Sequence, residues 1–270
     1  MPARFLIPCV LSIAGSDSGG CSGIQADLKT FAALGVHGLT AIAAITAQNM
    51  RMVESTRILP TKLLLAQLDA LSVDFPITAV KIGMLGNAAN IRAVAHWLRA
   101  QRLRNIVLDP LLVSSSGSRL LTARGLDELR NTLLPLADIV TPNVPEAEAL
   151  LGCRIRTGRE MRDAARALLQ RGVRAVLLKG GHFGDAAPAA RVCDYFIDAN
   201  SETRFEHARL PFEARGTGCT LASALAAGLA LEHTPLQSAR HAERYMQSCL
   251  RRATPQGKSA KRALGHVARR

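Results

Sequence analysis

Val10-Leu11-Ser12-Ile13-Ala14-Gly15-Ser16-Asp17-Ser18-Gly19-Gly20 joins an apolar run of strand length to a glycine-rich polar turn. A helix-period segment, Gln25 to Leu34, separates it from a second apolar run, Thr40 to Thr46. Strand, turn, helix and strand in that order make a βαβ unit, which pairs its two strands in parallel. The alternation continues down the chain. Further strands are predicted at Ala79 to Ile82, Asn105 to Leu108, Asp138 to Thr141 and Ala175 to Lys179, all apolar enough to be covered on both faces. Helices are predicted between them, at Thr61 to Ser72, Ala88 to Gln101, Gly125 to Leu133, Pro145 to Leu151 and Arg159 to Arg171. The fold class is therefore α/β with a mainly parallel central sheet. Two alternating runs, Asp194 to Asp198 and Thr203 to Leu210, flank Ala199-Asn200-Ser201-Glu202 and predict a β-hairpin.

A chain of 270 residues, 48% hydrophobic, suits one domain with a substantial core. We assign residues 1–250 to that domain and residues 251–270 to a basic C-terminal tail. The net charge of +13 raises the question of nucleic acid, and the tail contributes seven Lys or Arg and no acid. Aromatic residues that could stack bases are not interleaved with these charges, so a solvated tail is the reading and nucleic acid is not expected as a partner. The apolar runs are shorter than a membrane span and the N-terminus lacks a secretion signal, which predicts a cytoplasmic protein with no membrane partner. Six scattered cysteines without a C-x-x-C pair suggest mostly buried, reduced thiols.

In open parallel sheets, ligands collect at the carboxyl ends of the strands. Here those ends are polar or glycine-rich: Gly15 to Gly20, Ala47-Gln48-Asn49, Gly83-Met84-Leu85, Asp109-Pro110, Pro142-Asn143 with Glu146, and Gly180-Gly181-His182 after Lys179. Gly15 to Gly20 is followed by Cys21-Ser22, so it is no P-loop. The anion signal lies later, in Arg215-Gly216-Thr217-Gly218-Cys219-Thr220 before the small-residue run Leu221 to Gly228. Glycines let backbone approach a ligand, and a helix start offers unpaired N–H groups at the positive end of its dipole. Alone, such a turn is equally an ordinary helix cap.

Together these segments resemble a family. Ala14-Gly15-Ser16-Asp17-Ser18, Gly23-Ile24-Gln25-Ala26-Asp27-Leu28-Lys29-Thr30, Thr46-Ala47-Gln48-Asn49, Val80-Lys81-Ile82-Gly83-Met84-Leu85, Thr141-Pro142-Asn143-Val144-Pro145-Glu146-Ala147, Leu178-Lys179-Gly180-Gly181-His182 and Gly216-Thr217-Gly218-Cys219-Thr220 are similar to the hydroxymethylpyrimidine/phosphomethylpyrimidine kinases of thiamine biosynthesis. The resemblance spans roughly residues 8 to 250. It implies a ribokinase-like three-layer α/β/α sandwich, ATP and Mg2+ as cofactors, and a homodimer. The implied reaction phosphorylates 4-amino-5-hydroxymethyl-2-methylpyrimidine to its monophosphate and then to the diphosphate.

The same resemblance assigns roles. Gly216, Thr217, Gly218 and Cys219 would hold the transferred phosphoryl through backbone N–H groups, and Lys179 would meet the donor phosphates. A helix N-terminus lowers a thiol's pKa, so Cys219 is also a candidate for the base that takes the hydroxyl proton. Asp109, Asn143 and Glu146 resemble the metal-associated group; for Glu146 the alternative is a helix-dipole role in the first turn. Gln48 offers the acceptor and donors that match the amino group and ring nitrogen of an aminopyrimidine. Asp27 resembles the carboxylate near the hydroxymethyl group, and Met84 and Gly15 resemble the ring-lining residues; the alternatives are a surface acid for Asp27 and core filler for Met84.

Arg215 stands where the family usually has His, Cys21 and Ser22 where Gly and Ala are common, and Met50 where Thr is usual. Arg215 adds a fixed charge beside the phosphate site, which could assist ATP binding or alter nucleotide preference. Of the family's usual ending only Leu264-Gly265-His266 remains, which puts the dimer contacts there in question. Competing functions are a pyridoxine or pyridoxal kinase, whose substrate shares a flat ring bearing a hydroxymethyl group, and a non-catalytic pyrimidine-binding regulator.

Overall fold

Residues Val10, Leu11, Ser12 and Ile13 are all fully buried, as a strand in the middle of a sheet covered on both faces must be. The structure, a computed structural model, describes residues 7–112, 121–181 and 191–267. Its first half runs β1 (Cys9–Asp17), α1 (Gly23–Leu34), β2 (His37–Gln48), β3 (Val53–Ile58), α2 (Thr61–Asp74), β4 (Ile77–Ile82), α3 (Ala88–Ala100) and β5 (Ile106–Leu108). After α4 (Ala123–Glu128), continued by a wide turn at Leu129–Leu133, come β6 (Ile139–Val140), α5 (Val144–Leu151), α6 (Gly158–Leu169) and β7 (Ala175–Leu178). The hairpin β8 (Arg191–Asp198) and β9 (Glu202–Ala208) then leads through β10 (Ala214–Arg215) to α7 (Thr217–Ala230) and α8 (Pro235–Arg251). β11 (Thr254–Pro255) and β12 (Arg262–Ala263) close the chain.

Nine strands form one sheet in the order β3-β2-β1-β4-β5-β6-β7-β8-β9. From β2 to β7 every pairing is parallel; β3 and the hairpin add antiparallel edges. Strand side chains alternate between two cores. Leu11, Ile13, Val80, Ile82, Ile106, Leu108, Val176 and Leu178 face α2 to α6. Val10, Ala79, Val107, Ile139, Ala175 and Leu177 face α1, α7 and α8. Each large aliphatic side chain buried this way contributes about 1.5–3 kcal/mol, so the alternation holds both helix layers in place.

α7 is apolar and small all round, buried continuously from Cys219 to Ala230. A helix of that composition can lie deep between the sheet and α8, and that depth brings its N-terminus to the strand ends. Neither β3 nor α8 was among the sequence expectations. β3 is almost wholly exposed, so it carries no core pattern to read. α8 is amphipathic and starts with a Thr234–Gln237 capping box.

The basic C-terminal segment folds back on the domain. β12 pairs with β10 and β11, the Gly265 N–H donates to the Cys249 carbonyl, and His266 Nδ1 lies 3.2 Å from the Tyr245 hydroxyl. The retained Leu264-Gly265-His266 thus docks against α8. Of the six thiols, Cys9, Cys219 and Cys249 are buried, whereas Cys21 and Cys193 are partly exposed and Cys153 is exposed. Burial of most cysteines, expected from sequence, holds for half of them, because Cys21 and Cys153 sit on loops and Cys193 on the part of β8 that reaches past β7.

Candidate active site

The turn into α7 is shaped by Gly216, the residue before the first helical turn. Its φ of +82° disfavours other residues, and a Cβ there would run into the Cys21 carbonyl oxygen. The close contact locks the 18–22 loop onto the helix start. Beyond it, the N–H groups of Thr217, Gly218 and Cys219 belong to the first turn and have no intrahelical acceptor, so they are available to an anion. Gly218 faces the charged centre: a Cβ added there would lie 3.3 Å from Asp109 Oδ2 and 3.4 Å from Lys179 Nζ. Any larger residue would intrude between the turn and these groups.

Lys179 follows β7 and is fixed through its backbone, which donates to Pro142 and bridges to Asn143. Its ammonium lies 3.2 Å from Asp109 Oδ1, and the Thr141 hydroxyl donates to the same oxygen. Burial alone would lower the pKa of Lys179, but Asp109 and Glu146 outweigh it and hold the lysine above its ordinary value. For Glu146 burial prevails. Burial first, and the charge of Asp109 as well, push its carboxyl up to about 7 against the opposing pull of Lys179. Asp109 Oδ2 is buried without a hydrogen-bond partner among the described residues. This corner therefore carries more negative charge than it neutralises.

The structure revises several sequence expectations. Asn143 is occupied as a helix cap: its Oδ1 accepts from the Glu146 N–H at 2.9 Å, and the Glu146 carboxylate accepts from the Asn143 N–H. The cap positions Glu146 at the start of α5. Asp27 is not a helix-surface acid. It is fully buried, ion-paired to Lys81 at 2.9 Å and accepting from the Ser12 and Ser223 hydroxyls at 2.6 and 2.7 Å. This network ties β1, β4, α1 and α7 together beneath the helix start. For Cys219 the direction of the shift reverses, because burial outweighs the helix terminus and raises the thiol to about 11, although Lys81 and the Gly23 N–H pull it down. His182 lies outside the described residues.

Gln48 is where the sequence reading placed it, at the carboxyl end of β2, and its backbone is pinned by Ser18 through bonds of 2.8 and 2.9 Å. Its side-chain Oε1 accepts from Arg215 Nη2 at 3.0 Å, and its Nε2 reaches Ser22 Oγ at 3.4 Å. Gly15 and Met84 touch: a Cβ on Gly15 would lie 3.2 Å from Met84 Cε, and Met84 floors a groove of about 550 Å³ beside β3 and α4. Asp17, to which no role was assigned from sequence, organises the loop. Its carboxylate accepts from the N–H groups of Gly19, Cys21 and Ser22 and from the Ser22 hydroxyl. Its place before two glycines is the available signal, since Asp favours such local turns.

Behind Lys179, the Gly180 N–H donates to Asp194 Oδ1 at 2.6 Å. Asp194 also lies 3.7 Å from His207 and close to Glu243. Burial first, then the charge of Asp194, hold Glu243 well above the ordinary carboxyl range. A raised carboxyl favours folding while protonated, and that contribution is lost as pH climbs from the unfolded value through the raised folded one. Glu243→Gln keeps the shape and a donor for Asp194. It is expected to melt above wild type by a few degrees at about pH 8, with a smaller gap at about pH 5. Differential scanning calorimetry at both pH values checks this, and parallel melting curves would refute it.

A helix start poised for an anion, a neighbouring lysine and two undercompensated carboxylates suit phosphoryl transfer, and the sandwich that carries them defines a small-molecule kinase of ribokinase-like architecture. Among solved structures, the phosphomethylpyrimidine kinase of Clostridium difficile superimposes with a TM-score of 0.80 at 36% identity, covering 90% of this chain and 99% of that one. A Staphylococcus aureus pyridoxal kinase in complex with AMP-PCP and pyridoxal gives 0.86 at 28% identity, with 97% and 94% covered. Sequence narrows the class. The phosphomethylpyrimidine kinase model matches residues 17–263, and the chain belongs to that family. It is 44% identical over 233 residues to the hydroxymethylpyrimidine/phosphomethylpyrimidine kinase of Haemophilus influenzae, covering 85% of this chain and 86% of the relative. It is also 44% identical over 260 residues to the thiamine biosynthesis bifunctional protein ThiED of Geobacter sulfurreducens, covering 95% of this chain but only 52% of that longer protein.

Proposed function

We propose that the protein transfers the γ-phosphoryl group of ATP to the hydroxymethyl oxygen of 4-amino-5-hydroxymethyl-2-methylpyrimidine, and then phosphorylates the monophosphate to the diphosphate in thiamine biosynthesis. The observation that carries this reading is the packing of Gly218 against both Asp109 and Lys179. It sets the open N–H groups of the α7 turn beside a partly buried cation. Those N–H groups and Lys179 would share the charge that spreads over the transferring phosphoryl, a stabilisation worth about 3–4 kcal/mol per well-placed donor.

A divalent metal fits the carboxylate corner, because the orphaned Asp109 Oδ2 and the raised Glu146 both need positive charge. Asp109 and Glu146 would hold Mg2+, which supplies charge neutralisation across the ATP phosphates. Gln48 would read the amino edge of the pyrimidine, and Met84 with Gly15 would meet the ring face. Gln48→Ala is expected to weaken pyrimidine binding about tenfold to a hundredfold while leaving ADP binding unchanged. Isothermal titration of both ligands tests this; a variant that binds the pyrimidine as well as wild type would sink the assignment.

The Cys219 thiol bears on the first transfer alone, because only the alcohol has a proton to lose. At rest the thiol is protonated, so any base role is confined to a thiolate fraction that grows with pH. The first transfer is therefore expected to speed up as pH rises above neutral. Cys219→Ala keeps the backbone N–H. It is expected to slow the first transfer by about 10²-fold or more and the second by less than tenfold. Single-turnover rates for the alcohol and the monophosphate check this, and equal losses would refute a base role.

A homodimer and a cytoplasmic location complete the proposal. The exposed edge strand β3, with Ile45, Met52 and Ile58 exposed beside it, supports pairing between copies. Among the described residues no helix is long and apolar enough to cross a membrane.

A further inference from the structure

Arg215 is 3% exposed, yet among the described residues no carboxylate pairs with it. Its Nη2 donates to a neutral acceptor, the Gln48 side-chain oxygen Oε1, at 3.0 Å, and its buried Nη1 has no partner among the described residues. A guanidinium out of water without a counter-charge is costly, and five donors in a planar fork are suited to an oxyanion.

Its position is built. The β10 strand that carries it pairs with β12, and Arg262 of β12 stacks 4.1 Å over the Phe212 ring just upstream. The next residue, Gly216, is wedged against Cys21. On the far side, Arg51 beyond Gln48 donates to the Lys258 carbonyl at 2.7 Å, so the C-terminal segment steadies both partners of the Arg215–Gln48 bond. Arg215 thus links the group proposed to read the pyrimidine edge with the turn proposed to hold the phosphoryl. A substituent on the ring between those two points falls within its reach.

We propose that Arg215 forms an anion subsite for a phosphate monoester on the substrate, and that it makes the once-phosphorylated pyrimidine the favoured substrate of the second transfer. This rests on the kinase reading above. The alcohol is neutral and gains little from a guanidinium. The monophosphate offers a dianion that the free Nη1 and the fork can grip with charge-assisted bonds. In the second transfer an ionised oxygen of the monophosphate forms a bond to the γ-phosphorus as the bond to the bridging oxygen of ADP breaks. No proton has to leave the nucleophile; what opposes the step is repulsion between two phosphates, which a fixed positive charge reduces.

The test compares kcat/KM for the alcohol and for the monophosphate, at saturating MgATP, in wild type, Arg215→Gln and Arg215→Lys. Melting temperature and ADP binding serve as folding controls. Arg215→Gln is expected to lower the monophosphate value about 30-fold or more and the alcohol value less than threefold, so that monophosphate accumulates. Arg215→Lys keeps the charge and loses the fork, and should fall between wild type and Gln on the monophosphate only; it decides the matter if the Gln variant does not fold. Equal losses on both substrates would make Arg215 a positioning residue for Gln48 and overturn the proposal, as would no loss on either. Wild type that phosphorylates the alcohol but not the monophosphate would also overturn it while leaving the kinase reading intact. Turnover of neither pyrimidine would instead bring down the kinase reading itself.

Discussion

Lys179→Met should lower kcat for phosphoryl transfer by about a thousandfold while the protein remains folded. Two losses combine. The transition state loses a cation aimed at the donor phosphates, an effect of about 3–4 kcal/mol in preorganised sites. Asp109 and Glu146 lose the ammonium that offsets them, so Glu146 is expected to hold its proton to still higher pH. Lys179→Arg is not a conservative rescue, because a wider, planar guanidinium would have to replace a compact ammonium that sits beside Gly218 and Asp109. Steady-state kinetics with ADP binding as a control measure the effect; a methionine variant within tenfold of wild type would show that Lys179 is only a counterion to Asp109.

The second large effect falls on stability. Lys81→Met leaves the Asp27 carboxylate buried at 0% exposure with only two serine hydroxyls to satisfy it. Breaking one side of such a pair costs about 3–5 kcal/mol, because the remaining charge has no access to water. Asp27→Asn should cost a comparable amount by stranding Lys81. The double variant should be less destabilised than the sum of the singles, since neither charge is then left alone. Urea unfolding of the four proteins gives the cycle. A loss below about 1 kcal/mol in either single variant would contradict the account of this network.

Much of the architecture was legible because a covered parallel sheet leaves a strong trace. β1, β4 and β7 are apolar on both faces and end in glycine or polar turns, so strand, direction and site edge could be read at once. The hairpin at β8 and β9 showed itself by alternation. β3 could not be read, since an exposed edge strand has no face to keep apolar. The Asn143–Glu146 spacing carries a capping-box signature, and the structure shows that the cap occupies the asparagine. What the sequence could not show is which distant groups meet. Asp27 finds Lys81 54 positions away and Ser223 196 positions away, and Arg215 finds Gln48 across 167. The thiol of Cys219 illustrates a competition of effects. A helix start lowers such a pKa and burial raises it, and only the packed structure decides that burial wins.

The central claim is that the α7 turn, with Lys179 and the carboxylate corner, phosphorylates an aminopyrimidine twice. Phosphorus NMR of the purified protein with 4-amino-5-hydroxymethyl-2-methylpyrimidine and MgATP, followed over time beside an identical reaction containing pyridoxal, tests it most directly. The account predicts a monophosphate ester signal that rises and then gives way to a diphosphate as ADP accumulates, with slower or no turnover of pyridoxal. Formation of pyridoxal phosphate alone, or unchanged ATP in both tubes, would contradict it.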